Sequence, residues 1–249
     1  MLKIFALFFI SCLLLANGEA FAFSFAVFGD NRDGDSIYKK ILKSVSNDKD
    51  ISFAINTGDF ISNGKLENYQ RYITLIRPIK FKIYHVLGNH DGVYGGYKHF
   101  EKYFGSTYYS FNYENSHFII LDNAFSKSFD SDQYDWLIKD LKTNKNPNIF
   151  VFMHKPAFDA TEFYEDHVMD SRRMSEVLIN TFKEYKVDYV FAGHIHGYGR
   201  ALRDDVVYII TGGGGAPLYL PYYAGGFFNY IKVTVDGAKI KDEVVKIDE

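Results

Sequence analysis

The sequence predicts an α/β protein with two stacked mixed β-sheets flanked by helices. Near the N-terminus, apolar runs typical of buried strands alternate with helical patterns, which indicates parallel strands joined by helical crossovers. In the middle of the chain, two strand-like runs flank a short polar turn, which indicates an antiparallel hairpin. Three more apolar runs lie between residues 206 and 247, and turn residues separate them. We expect strands there as well.

The first part of the chain contains three predicted strands, at residues 23–28, 51–55 and 83–87. Residues 37–46 and 66–76 lie between them and carry apolar side chains at helical spacing. Pro78 closes the second of these helices. Because a strand, helix and strand connection joins parallel strands with a right-handed crossover, we expect a mainly parallel sheet here.

The second part of the chain adds the hairpin and further strands and helices. Glu114-Asn115-Ser116 is the predicted turn between hairpin strands at residues 108–113 and 117–121. Helical patterns and apolar runs then alternate, with helices expected at residues 133–141 and 171–185 and strands at residues 149–153 and 187–191.

The first 20 residues have the pattern of a secretory signal. Lys3 precedes an apolar run at residues 4–15, and Gly18-Glu19-Ala20 offers small residues at the usual cleavage offsets. The alternative of an uncleaved membrane anchor is less favoured, because a spanning helix needs about 20 apolar residues. We therefore expect an exported protein, periplasmic or extracellular, with one domain at residues 21–249.

Composition excludes several classes of protein. Cys12 is the only cysteine, so the mature domain forms no disulfide, and the apolar run that continues past it disfavours a lipidation site. The chain is 47% hydrophobic and 18% aromatic, which is enough for a large core. Its net charge of −3 without a basic stripe predicts no dedicated nucleic-acid surface. We expect no membrane association after signal cleavage, and the oligomeric state stays open.

Metal-ligand residue types follow five of the apolar runs. Open α/β sheets place ligand sites at the carboxyl ends of their strands, so we expect these side chains to converge. Carboxylates combined with imidazoles suit Mn, Fe, Zn or Co. One carboxylate can bridge two ions about 3.5 to 4 Å apart, and such a pair activates a water. The residues are Asp30, Asp59, Asn89, His90, Asp91, His154, His194 and His196.

The five segments resemble the motif series of the calcineurin-like metallophosphoesterases, in the order that this family has. They are Gly29-Asp30, Gly58-Asp59, Gly88-Asn89-His90-Asp91, His154 with Pro156, and Gly193-His194-Ile195-His196. The resemblance implies the family's sandwich of two sheets between helices. It also implies a phosphoester hydrolase that uses two divalent or trivalent ions, Mn, Fe, Zn or Co, on a small phosphate ester.

The resemblance also assigns roles by position. Asp30, Asp59 and His196 would hold the first ion, and Asp59, as the bridge, would hold the second together with Asn89, His154 and His194. His90 would contact the substrate phosphate and protonate the leaving oxygen, while Asp91 would orient the imidazole of His90. A hydroxide that bridges the two ions would attack phosphorus.

Two positions depart from the family pattern. Arg32 stands where most members have a histidine ligand of the first ion, and a guanidinium cannot act as a ligand. Arg32 is therefore either a substrate-phosphate clamp or a loop residue paired with Asp33 or Asp35. The last motif is similar to that of the purple acid phosphatases, but Ser62 replaces the iron-binding tyrosine of that branch. We predict a dinuclear site without tyrosinate.

Two other functions remain open at this point. One is a phosphodiesterase or nucleotidase that acts on nucleotides outside the cytoplasm. The other is a non-catalytic metal- or phosphate-binding protein of the same fold, which the presence of Arg32 favours. The polar and aromatic insertion at residues 158–170 either shapes the substrate pocket, with Asp159, Glu162, Tyr164 or His167, or is a solvated connector. We interpret His85 as a structural histidine.

Overall fold

A computed structural model describes residues 22–248, which form eleven strands and six α-helices. The strands, in chain order, are β1 (Phe23–Phe28), β2 (Ile51–Asn56), β3 (Lys82–His85), β4 (Tyr109–Tyr113), β5 (Ser116–Ile120), β6 (Asn148–Phe152), β7 (Tyr189–Ala192), β8 (Tyr198–Arg203), β9 (Val206–Thr211), β10 (Asn229–Asp236) and β11 (Lys239–Lys246). The helices are α1 (Asp35–Asn47), α2 (Leu66–Ile76), α3 (Asn89–Gly92), α4 (Gly96–Phe104), α5 (Ser131–Thr143) and α6 (Arg172–Glu184). The predicted export signal at residues 1–20 lies outside the described residues.

The strands form two mixed sheets, as predicted. The first has the order β11-β10-β1-β2-β3, in which β1, β2 and β3 are parallel and β10 and β11 are antiparallel to their neighbours. The second has the order β4-β5-β6-β7-β9-β8, with β4 and β8 antiparallel at its edges. The crossovers through α1 and α2 join parallel strands, which confirms the parallel arrangement expected for the first part of the chain.

Phenylalanine side chains fill the space between the two sheets. Phe25 of β1 lies 5.2 Å from the ring of Phe118 and 5.1 Å from that of Phe150, both edge to face. Helices α1, α2 and α4 pack on the outer face of the first sheet, and α5 and α6 pack on the outer face of the second. The result is a four-layer sandwich, and its rigid core fixes the strand ends from which the functional loops leave.

Three details differ from the sequence-based expectation. Helix α4 was not expected, because Gly92, Gly95 and Gly96 interrupt the pattern at its start. Strand β8 was not expected either, because it is a polar edge strand with little apolar signal. Strand β3 ends at His85, so Val86 and Leu87 already belong to the loop.

Candidate metal centre

The predicted ligands meet at the carboxyl ends of strands from both sheets. Asp30 follows β1, Asp59 follows β2, His154 follows β6, and His194 and His196 follow β7. Asn89, His90 and Asp91 lie in the short helix α3, which follows β3 in the chain. The two sheets therefore contribute facing loops to one polar cluster in the part of the chain that the structure describes.

Strained backbone and close approach hold these loops together. Asp30, Asp59 and His194 all have positive φ angles, of 56°, 54° and 69°. Such conformations disfavour L-residues, and they persist where the surroundings enforce them. Gly58 has a φ of 99°, and a Cβ atom there would lie 2.8 Å from the backbone nitrogen of Gly88. Only glycine therefore lets these loops approach each other.

One half of the centre is built from Asp59, His154, His194 and Asn89. One ligand atom from each of the first three lies within 4.8 Å of the other two. Nε2 of His154 is 3.0 Å from the Asn89 side-chain oxygen, 3.2 Å from Nδ1 of His194 and 3.5 Å from a carboxylate oxygen of Asp59. These four side chains thus present their ligand atoms to one point.

The hydrogen bonds of this half orient the His154 ring so that Nε2 faces the other ligand atoms. Nδ1 of His154 lies 2.9 Å from the carbonyl oxygen of Thr57, which can only accept, so Nδ1 carries the proton of the neutral ring. Nε2 then presents a lone pair towards the oxygens of Asn89 and Asp59, which are acceptors too. A metal ion at this point would satisfy all three, and the carbonyl of Thr57 fixes the tautomer that a ligand requires.

The other half is built from Asp30, Asp59 and His196. Nε2 of His196 lies 3.6 Å from Oδ1 of Asp30, and its Nδ1 lies 2.6 Å from the carbonyl oxygen of Pro217. Oδ1 of Asp30 is buried without a hydrogen-bond partner among the described residues, whereas its Oδ2 accepts the backbone N–H of His194 at 2.9 Å. An orphaned buried carboxylate oxygen opposite a free imidazole nitrogen fits a second ion.

Burial is the largest cause of the pKa shifts of the predicted ligand side chains. Burial raises the pKa of Asp30 well above its usual range, and the neighbouring Asp59 carboxylate raises it further. Burial lowers the pKa of His154 to about 3, of His194 to about 2 and of His196 to about 4. The imidazoles are therefore neutral at pH 7, which is the form that binds metal. The mixed carboxylate and imidazole donor set suits Mn, Fe, Zn or Co.

Arg32 lies beside the second of these halves. Its Nε is 3.7 Å from Oδ2 of Asp59 and has no hydrogen-bond partner among residues 22–248, and its NH1 group is 3.6 Å from Asp33. The structure thus places Arg32 close to both the metal site and one of its predicted partners. Ser62 donates to the carboxylate of Asp33 and not to a ligand position.

His90 and Asp91 lie at the candidate metal centre, but the prediction that Asp91 orients the His90 imidazole is wrong. Nδ1 of His90 lies 2.9 Å from the carbonyl oxygen of Ser62, and its Nε2 is 3.9 Å from Oδ2 of Asp59. The Asp91 carboxylate is fully buried and accepts the backbone N–H groups of Asp59, Gly88 and Ile61, at 2.8, 2.8 and 3.2 Å. Asp91 therefore positions the loops that carry Asp59 and Asn89, and a backbone carbonyl orients His90.

The insertion at residues 158–170 reaches the centre through aromatic contacts. The hydroxyl of Tyr164 donates to the carbonyl of Tyr219 at 2.8 Å, and the Tyr219 ring stacks on His196 with centroids 4.0 Å apart. The His167 ring lies 6.1 Å from that of His194. A cavity of about 290 Å³ lies between the insertion and α6, and Asp159 and Glu162 help to line it. Sequence analysis did not identify Tyr219 as a contact of a ligand.

The structure is an α/β sandwich in which loops from both sheets bring carboxylate and imidazole side chains together, a donor set that could hold a metal ion. Residues 23–198 match the sequence profile of the calcineurin-like phosphoesterases, and the chain belongs to this family. This confirms the family that the five motifs predicted. Within residues 22–248, no helix combines the length and apolar character that crossing a membrane requires.

Similar proteins place the chain near the purple acid phosphatases. It is 35% identical over 130 residues to a purple acid phosphatase of Glycine max, covering 48% of this chain and 27% of the relative. Over 130 residues it is 33% identical to a phosphoenolpyruvate phosphatase of Allium cepa, covering 48% and 26%. A purple acid phosphatase from seeds of yellow lupin (Lupinus luteus) superposes with a TM-score of 0.75 at 20% identity, covering 92% of this chain and 52% of that one. The chain thus spans about a quarter of the length of these curated relatives.

Proposed function

We propose that the protein is an exported, metal-dependent phosphatase that hydrolyses small phosphate esters. The observations that carry the proposal are two clusters of ligand atoms in a chain of the phosphoesterase family. Ligand atoms of Asp59, His154 and His194 lie within 4.8 Å of one another, with the Asn89 side-chain oxygen 3.0 Å from His154. Nε2 of His196 lies 3.6 Å from Oδ1 of Asp30. Export rests on the signal-like pattern of residues 1–20. The phosphatase activity is supported by the relatives that are named phosphatases.

Six side chains would hold two metal ions. Asp30 and His196 would bind one ion, Asn89, His154 and His194 would bind the other, and Asp59 would contact both. When bound, such ions supply Lewis-acid polarisation of the phosphate and activation of a water shared between them. The carbonyls of Thr57 and Pro217 keep the Nε2 atoms of His154 and His196 unprotonated for this purpose.

The remaining polar groups of the centre act on the substrate. His90 hydrogen-bonds to the Ser62 carbonyl through Nδ1, which directs its Nε2 towards Oδ2 of Asp59. From that position a protonated His90 can donate its proton to the leaving oxygen. Arg32, with an unpartnered Nε, can bind a phosphate oxygen, and a guanidinium suits this because its N–H groups form a planar fork.

A phosphodiesterase or nucleotidase activity is the second candidate within the same chemistry. The aromatic side chains at the edge of the site favour it, because planar bases stack on such rings. Tyr219 lies on the ligand His196, and Phe163 and Tyr223, exposed by 51% and 84%, lie 6.5 Å apart. A nucleoside leaving group could therefore pack beside the metal centre.

A panel of four substrates separates these activities. The purified protein would be assayed with an aryl phosphate, a bis-aryl phosphate, a cyclic nucleotide and a nucleoside monophosphate, each with Mn²⁺, Zn²⁺, Co²⁺ and Fe²⁺. We expect the highest kcat/KM on the aryl monoester and removal of activity by chelation. Preference for the bis-aryl phosphate or the cyclic nucleotide would identify a phosphodiesterase, and preference for the nucleoside monophosphate a nucleotidase.

The same preparation tests the non-catalytic alternative. Elemental analysis after reconstitution and gel filtration gives the number of ions per chain. Fewer than one ion per chain together with no turnover on any ester would overturn the proposal and favour a binding protein.

A further inference from the structure

The backbone that carries His154 is held by a side chain from the neighbouring strand. Asn123 lies three residues after the end of β5, which pairs in parallel with β6. The side-chain oxygen of Asn123 accepts the backbone N–H of His154 at 2.9 Å and that of Lys155 at 3.1 Å. Its side-chain nitrogen donates to the carbonyl of Lys155 at 2.6 Å. One amide group therefore binds both the N–H and the C=O groups of the backbone at a predicted ligand.

These three hydrogen bonds are possible in only one orientation of the Asn123 amide. If the amide were rotated by half a turn, its NH₂ group would face two N–H donors and its oxygen would face a carbonyl. Asn123 is 3% exposed and His154 is fully buried. Without the amide oxygen, the N–H of His154 would be a buried donor with no acceptor, which is an unfavourable state.

Asn123 is one of three groups that fix the direction of the His154 side chain. The His154 carbonyl accepts the backbone N–H of Gly193 at 3.0 Å, and Nδ1 of the ring lies 2.9 Å from the carbonyl of Thr57. Both of these partners are backbone groups. The partner of the His154 N–H is a side chain, so a substitution can remove it and leave the other two contacts in place.

The same backbone segment forms the base of the insertion at residues 158–170. The carbonyl of Pro156 accepts the backbone N–H of Met169 at 2.9 Å, and Lys155 forms a 2.7 Å ion pair with Asp170. The two ends of the insertion therefore meet beside the residues that Asn123 holds. A shift of this segment would displace a predicted ligand and the base of the insertion together.

We propose that Asn123 is a positioning residue of the metal centre. It fixes the backbone of His154 so that Nε2 lies 3.0 Å from the Asn89 oxygen and 3.2 Å from Nδ1 of His194. Asn123 belongs to none of the five sequence motifs, and its contacts with the His154 backbone arise from the pairing of β5 with β6. The inference rests on the proposed function, since it concerns the binding of a metal that the proposed hydrolysis requires.

The test measures metal binding without turnover. Co²⁺ would be titrated into the metal-free full chain by equilibrium dialysis, and the visible absorption of the bound ion would report its coordination geometry. Asn123→Leu removes the three hydrogen bonds at nearly constant side-chain volume. We expect the free Co²⁺ concentration at half-saturation to rise by about 10- to 100-fold, as is typical when a group that supports a ligand is lost. The visible spectrum should change as well, because the imidazole of His154 is displaced.

A milder variant tests the same contact if Asn123→Leu does not fold. In Asn123→Ser a hydroxyl remains that can accept one N–H group, so the rise in the half-saturating Co²⁺ concentration should be smaller than for Asn123→Leu.

Asn148→Leu is the matched control. Asn148 is also 3% exposed and lies at the opposite end of β6, where its side-chain nitrogen donates to the carbonyl of Gly237 at 2.8 Å. Urea denaturation should show a loss of stability in both leucine variants. Only Asn123→Leu should lose Co²⁺ affinity, because a merely structural role would not change metal binding in one variant alone.

The outcomes separate this inference from the proposed function. Wild-type Co²⁺ affinity and spectrum in the folded Asn123 variant, in a protein that hydrolyses esters, would overturn the inference alone. An equal loss of affinity in Asn148→Leu would also overturn it, because general destabilisation would then explain the result. A wild-type chain that binds no metal and hydrolyses no ester would overturn the proposed function, and this inference with it.

Discussion

The floor and the rim of the site are built in different ways. The floor comprises the loops that carry Asp30, Asp59, His154 and His196, which are at most 2% exposed and leave directly from core strands. The rim comprises the insertion at residues 158–170 together with Tyr219, and its side chains contact one another across a partly exposed edge. The packed sheets fix the chemistry of the floor, whereas contacts between loops fix the rim. Substitutions in the floor should therefore abolish function, and those in the rim should adjust it.

The largest effect is expected for Asp59→Ala in the floor. This substitution removes the carboxylate that both ions would share, and also the acceptor of the His90 backbone N–H at 2.8 Å. We expect kcat/KM to fall by about 1,000-fold or more, beyond the about 10- to 100-fold typical of residues that only support metal ligands. Activity on an aryl phosphate and bound metal by elemental analysis are the measurements.

Asp122→Asn is the control for Asp59→Ala. Asp122 is a buried aspartate, 3% exposed, that accepts a backbone N–H from Ala124. It is not one of the predicted metal ligands. It should retain metal and activity. Full activity of Asp59→Ala would show that the floor is not the catalytic centre.

The floor was largely predictable from the sequence, because two simple rules locate it. Strand patterns give the ends of β1, β2, β6 and β7, and the residue types there are those that bind metals. Neither rule needs a knowledge of tertiary contacts. The left-handed conformations of Asp30, Asp59 and His194 could not be predicted, because they result from the approach of loops distant in sequence.

The second largest effect is expected for Asp91, which supports the floor from below. Asp91→Ala leaves three buried backbone N–H groups, those of Asp59, Gly88 and Ile61, without their acceptor. We expect a loss of about 3 kcal/mol in the free energy of unfolding, measured by urea denaturation. Asp91→Asn can keep the oxygen that accepts from Asp59 and Gly88, so its loss should be smaller, about 1 kcal/mol.

The hydrogen-bond partners of Asp91 could not be predicted from the sequence. Asp91 follows His90 directly, and a contact between neighbours was the natural expectation. In the structure its side chain turns to the backbone of the β2 loop instead, about 30 residues earlier in the chain. If Asp91→Ala proves as stable as the wild type while losing activity, a direct catalytic role would replace the positioning role.

A third, smaller effect concerns His85, which lies beneath the floor in a buried hydrogen-bonded chain. Its Nε2 lies 2.9 Å from the hydroxyl of Tyr72, which in turn lies 3.0 Å from that of Tyr38 and 3.5 Å from Asn56. Asn56 donates to Tyr72 through its amide nitrogen, and its amide oxygen accepts the backbone N–H of Gly58, next to Asp59. Burial lowers the pKa of His85 to about 3. The imidazole is therefore neutral in the folded protein.

The sign of the pH effect follows from this lowered pKa. Between about pH 6.5 and pH 3 the unfolded chain binds a proton at His85 and the folded chain does not, so stability falls as the pH falls. His85→Gln should reduce the slope of the unfolding free energy against pH by up to about 1.4 kcal/mol per pH unit in that window. His99→Gln, at a half-buried histidine, is the control. Equal slopes for His85→Gln and wild type would contradict the assignment.

The smallest effect is expected in the rim, for Tyr164→Phe. The substitution removes the hydrogen bond from the Tyr164 hydroxyl to the carbonyl of Tyr219, and with it about 1 kcal/mol of support for the ring stacked on His196. Because Tyr219 contacts a ligand without coordinating metal, we expect KM to rise by up to about fivefold with kcat and bound metal nearly unchanged. Tyr134→Phe, which loses a hydrogen bond to Thr181 between α5 and α6, should leave KM unaltered. Loss of bound metal in Tyr164→Phe would mean that the rim holds the ligands in place, and the distinction between floor and rim would fail.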